Sequence, residues 1–251
     1  PKGELRQFEL NWSGDFEHMQ IENWHMDVNQ LSWQSWASNP SPNSAAWPGV
    51  SGLSAQLHGN ATQAEGQVIV ANGEINGPGL WEQPQQKINR MQAQVLLQWG
   101  QPQRRGQFKH GSLWVENSPL EFDLDWRNSE QDPLGHIDLK AQAKEWSASG
   151  VARWLPLRVP EPERQYVKNA FTLGLIQSLQ ARVVGRLADF PFDRAGQGEF
   201  RISAMLSGVR FVTVPNALLR DPMAGDWPIF QNLSGELTFA GYKVALSKVQ
   251  A

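Results

Sequence analysis

Asp123 and Asp125 are the side chains best placed to do chemistry, since carboxylates two residues apart on a strand leave the same face and could divide acid and base roles. Their setting argues against it: Leu120, Phe122, Leu124 and Trp126 alternate with Glu121, Asp123, Asp125 and Arg127, so the pair sits on a charged, half-solvated face and reads as a solubility feature. Asp189 and Asp193 bracket a turn and read as acceptors for backbone N–H groups there. His18, His25, His58, His110 and His136 lack metal-ligand spacing, and the chain has no cysteine, which removes thiolate ligands, disulfides and cysteine nucleophiles together. No glycine-rich phosphate loop or nucleophile elbow occurs. The residues therefore predict neither an enzyme nor a metal or other cofactor.

The rest of the composition describes an ordinary soluble surface. With 251 residues the chain is long enough for a large core, and a net charge of -3 with 19% charged residues gives no clustered cation surface for nucleic acid. Twelve tryptophans against two tyrosines suit half-buried faces, interfaces and groove rims, each ring having one N–H to satisfy, and equally suit plain core filling. No apolar run reaches the roughly eighteen residues that span a bilayer. Pro1–Leu5 leads straight into an alternating segment and Val244–Val249 still reads as strand, so the chain is expected to be cut from a longer protein.

Period-two alternation dominates the chain. Phe8, Leu10 and Trp12 oppose Gln7, Glu9 and Asn11; Ser13-Gly14-Asp15 turns; Met91, Ala93, Val95 and Leu97, then Ile137, Leu139, Ala141 and Ala143, repeat the pattern. Phe200, Ile202, Ala204 and Leu206 form a late strand. The passages 38–48, 73–84 and 215–226 are rich in turn residues, and Leu218 and Leu219 in the last are expected to pack on something.

One short helix is predicted near 161–173. Pro162 fits the first turn, Glu161 and Glu163 favour the positive end of its dipole, Val167, Ala170 and Phe171 share a face, and Gly174 is the expected stop. An internal echo accompanies it: Trp47-Pro48, Leu53-Ser54 and Leu57 recur 180 residues later as Trp227-Pro228, Leu233-Ser234 and Leu237, the mark of a repeated strand unit.

Several stretches together resemble the central region of YhdP-like proteins, in the AsmA-like group of bacterial envelope proteins. They are Arg153-Trp154-Leu155-Pro156-Leu157, the helix from Glu163 to Phe171, Gly185-Arg186-Leu187-Ala188-Asp189-Phe190-Pro191-Phe192, and Leu233-Ser234-Gly235-Glu236-Leu237-Thr238-Phe239. Trp33-Gln34-Ser35-Trp36 and Pro48-Gly49-Val50-Ser51-Gly52-Leu53 resemble upstream stretches of the same family, so the likeness runs from about Glu4 to Gly241. The resemblance implies a periplasmic segment of a large protein anchored in the inner membrane. Its sheet would form a hydrophobic groove that carries phospholipid toward the outer membrane.

Alternation alone favours a sheet closed into a sandwich or barrel, because large exposed apolar faces are uncommon in soluble monomers. The resemblance favours the opposite: a mainly β fold, a long, strongly curved antiparallel sheet open as a groove. Residues 1–150 would form one groove segment and 151–251 another carrying the helix, together one elongated unit. The expected lining is Phe122, Leu124, Trp126, Ile137, Leu139, Phe200, Ile202 and Leu206, with Val167 and Phe171 on a helix at the groove end. Phospholipid or another acyl-chain lipid, neighbouring segments of the same protein and other envelope proteins are the expected partners, and nucleic acid is not. The competing reading is a non-catalytic structural or binding module, a closed sandwich whose tryptophans contact glycan or protein.

Overall fold

A computed structural model describes residues 1–35, 48–100, 102–115, 118–157, 159–192, 194–215, 227–241 and 243–250. Twelve strands form one antiparallel sheet in strict sequence order. They are β1 Lys2–Ser13, β2 Gln20–Trp33, β3 Gly49–Gly59, β4 Gln63–Asn76, β5 Gln85–Gln98, β6 Gln103–Val115, β7 Ser118–Ser129, β8 His136–Ser147, β9 Phe171–Arg186, β10 Gly198–Val212, β11 Ile229–Ala240 and β12 Lys243–Gln250. Among the described residues all strands belong to this one sheet, each paired only with its sequence neighbours, so no second sheet lies across the apolar face and β1 and β12 are its two edges. The closure favoured by alternation alone is therefore wrong: the sheet is open.

Curvature comes from bulges inside the strands. Gln30, Gly52, Asn72, His110, Glu145, Gly174, Gly208 and Lys248 have φ between 50° and 107°, in eight different strands. Register shifts at Val28/Leu31, Ser51/Leu53, Phe108/Gly111 and Ser207/Arg210 mark four of these points. A bulge bends its strand, and bends at matching places across a sheet fold it into a trough. The matching is tight at Gly174, where a Cβ would stand 2.4 Å from the Val209 Cα beside Gly208.

Each bulge displaces an N–H from the ladder, and side chains on the next strand accept several of them. Ser54 Oγ accepts from Gln30 (3.3 Å), Ser234 Oγ from Gly208 (3.2 Å), Ser32 Oγ from Gly52 (3.4 Å) and Asp123 Oδ1 from His110 (2.9 Å). Ser54 and Ser234 are the serines of the repeated Leu-Ser pairs. The echo thus marks two equivalent bulge-capping positions; Trp47 lies outside the described residues, as do Leu218 and Leu219.

Between β8 and β9 the chain leaves the sheet as a 3₁₀ segment, Ala148–Trp154, then α1, Glu161–Ala170. The helix stops three residues short of the predicted end. Phe171 and Leu173 pair with Phe211 and Arg210 of β10, so strand pairing takes the chain over, and Gly174 serves as a bulge, not a helix stop.

Candidate functional site

Cross-strand register places apolar side chains in rows that run along the trough. The inner row begins at Leu31 opposite Leu53, passes to Val70, Met91 and Leu113, continues through Leu120, Ala143 and Leu179, and ends with Ala204, Leu237 and Leu246. From β2 to β12 no polar residue interrupts it. Val70, Leu179 and Leu237 on this row are buried, which places it at the bottom of the trough. A second row runs from Phe8 and Met26 through Leu57, Gly66, Val95 and Phe108 to Leu124, Leu139, Val183 and Phe200. Most of its side chains are only half-buried, and the Phe8 end is 54% exposed.

The sequence-predicted positions fall into this pattern as follows. Phe122 stands opposite Gly111 and Ala141 with its ring laid over the glycine, and Leu124 stands opposite Phe108 and Leu139. Trp126 stands opposite Gly106 and Ile137, and its Nε1 donates to the Leu134 carbonyl at 3.0 Å. Ile202 pairs with Ala181 and Phe239, while Leu206, 2% exposed, pairs with Ile176 and Gly235. All eight share one face of the sheet.

Phe200, Ile202 and Leu206 also meet Val167 and Phe171, around a chamber of about 310 Å³ between the insert and the sheet. The five other positions stand outside it, on the uncovered part of the trough. Phe171 contributes from β9, its ring tilted against Phe211 with centroids 5.1 Å apart, and not from the helix.

The insert straps one wall to the other. On one side Leu157 N donates to the Leu80 carbonyl at 2.8 Å, Trp154 packs edge-on to Trp81 at 5.9 Å, and Glu82 receives Arg164, Gln165 and Lys168 at 3.4, 3.4 and 3.8 Å. On the other, Tyr166 Oη donates to the Thr213 carbonyl at 3.2 Å, and burial raises that phenol's pKa. The three partners of Glu82 are solvated to different degrees, so the contact is worth little thermodynamically but fixes one end of the helix. Glu82→Gln is expected to speed amide exchange in α1 about two- to fivefold, by hydrogen-exchange mass spectrometry, with β2–β5 unchanged.

The opposite face is charged and internally neutralised. Arg105 holds the Asp125 carboxyl below its ordinary range, helped by Gln107, and Arg182 does the same for Asp138. A hollow of about 830 Å³ on that side contains Lys140, Arg182 and Arg201, but Asp138 and Glu199 pair with the two arginines. Asp123 caps the His110 bulge, so the two carboxylates singled out by spacing have separate structural jobs. Asp189 receives Arg186 at 3.8 Å, and Asp193 lies outside the described residues. Among the described residues no three His, Asp or Glu side chains are grouped to hold a metal ion.

Sequence reasoning did not find what the tryptophans do. Trp24, Trp33, Trp99 and Trp126 each donate Nε1 to a main-chain carbonyl, at Asn60, Pro48, Ala61 and Leu134, tying strands to the connections at their ends. Trp24 and Trp126 share a third apolar-face row that runs from Leu10 through Gly59, Ala64, Leu97 and Gly106 to Ile137.

A family model described as YhdP protein matches residues 1–250. The chain belongs to the YhdP family. No significant match was found among curated proteins or solved structures. The YhdP family is an envelope group, and the open, bulge-folded sheet is the architecture this YhdP family chain brings to it. Among the described residues no helix is long and apolar enough to cross a membrane.

Proposed function

We propose that this chain is a non-catalytic, periplasmic segment of an inner-membrane-anchored protein and carries phospholipid along its apolar trough toward the outer membrane. Phospholipid acyl chains and neighbouring segments of the same protein are its partners. The observation that supports this reading is the inner row: apolar side chains in hydrogen-bond register from β2 to β12, packed under the insert from β8 to β11 and, among the described residues, with no second sheet across them. Each methylene withdrawn from water on such a face contributes about 0.8 kcal/mol, without directional contacts, so a chain can slide at little cost.

The two faces provide the test. A photo-crosslinker replacing Phe122 should label phospholipid in an envelope preparation, and one replacing Asp123, the next residue on the opposite face, should not. Equal labelling at both positions, or labelling at Asp123 alone, would overturn the proposal.

A further inference from the structure

We infer that the chamber beneath α1 is a seat for the end of one unbranched acyl chain of a diacyl lipid, distinct from the uncovered rows of the trough. The inference rests on the proposal that the trough takes acyl chains, and adds where one of them stops.

The chamber is bounded on both sides. The insert supplies Val151, Leu155 and Val167, and the sheet supplies Ile176, Ile202 and Leu206. A dry apolar cavity of about 150 Å³ holds one benzene ring. Here the volume is about 310 Å³. At about 30 Å³ per methylene, taken as close to the share of one water in liquid, it holds about ten carbons of a single chain. Two chains of that length do not fit.

Polarity settles which end enters. Tyr166 Oη is engaged by the Thr213 carbonyl, and the charged side chain in the lining, Glu163, is exposed. Among the described lining residues no polar side chain is therefore placed to receive a headgroup.

Register provides the entry. The lining residue Ile202 continues through Ala181 and Ala141 to Phe122, and Phe200 continues through Val183 and Leu139 to Leu124, so the chamber opens onto the uncovered rows. One chain of a diacyl lipid would enter while the other stayed on the trough.

The test uses n-alkyl phosphocholines of about six to sixteen carbons, titrated into this chain calorimetrically below their micellar concentrations. Affinity should rise about fourfold per carbon up to about ten carbons and then less steeply, because further methylenes lie on the trough with one side still in water, at one ligand per chain. Val167→Phe and Ala148→Leu fill the chamber from two different elements, and each should move the break to shorter chains; circular dichroism and exchange in α1 report whether the insert stays folded. An undiminished slope through the longest chains, or an unmoved break in folded variants of both kinds, would overturn the seat. The crosslinker at Phe122 separates the two ideas: phospholipid labelling there without any break rejects the seat alone, whereas a break without labelling rejects transport along the trough and leaves the seat.

Discussion

If the trough carries phospholipid as proposed, the parent chain is expected to copurify with it and Leu124→Glu to hold about tenfold less or lower still, while its circular dichroism stays that of the parent. Leu124 is half-buried in the second row, between Phe108 on β6 and Leu139 on β8, so the new carboxylate can reach water and the strand can still form. Any acyl chain lying along the row would have to desolvate that charge, at a cost of several kcal/mol, when about 1.4 kcal/mol already means a factor of ten in occupancy. Leu124→Ala is the control, because it shortens the side chain and leaves the face apolar. Quantitative lipid mass spectrometry on the three proteins decides the matter. Unchanged lipid in a folded Leu124→Glu protein would mean that the row is not the lipid path.

The largest stability effect is expected at Leu206. It is 2% exposed and packs with Ile176, Val209, Leu233 and Leu237 in the core cluster under the insert. Leu206→Ala should cost about 2–5 kcal/mol in denaturant unfolding, the usual range for a buried leucine whose surroundings collapse only partly. Leu173→Ala, at a side chain 64% exposed on β9, should stay within about 0.5 kcal/mol. Equal losses at both sites would mean that the insert does not close a core.

Alternation carries face information wherever a strand is regular, which is why β7 was legible: Phe122, Leu124 and Trp126 pair without a shift against Ala141, Leu139 and Ile137. It carries no information about what covers that face. The same pattern suits a sandwich and a trough, and only the absence of cross-sheet strand contacts separates them. The bends were hidden for a related reason. Gln30, Asn72, His110 and Glu145 take left-handed φ without being glycine, so nothing in their type announces a bulge; the signal lies in the capping partner one strand away, as with Ser54 and Asp123. The helix was visible from its first-turn carboxylates and Pro162, but its end was set by pairing of Phe171 with Phe211, a contact forty residues distant. The 3₁₀ segment Ala148–Trp154 gave no sign in the sequence, since short turns of this kind follow from where the neighbouring strand lets go.

The strict order of the strands has a further consequence, for assembly and for length. Each strand needs only the one before it, so the sheet can be laid down hairpin by hairpin as the chain emerges, without any strand waiting for a distant partner. The same arithmetic makes the fold a ruler. Twelve strands are separated by eleven steps of about 4.8 Å, or about 50 Å along the axis, and each added hairpin lengthens it by about 10 Å without disturbing the rest.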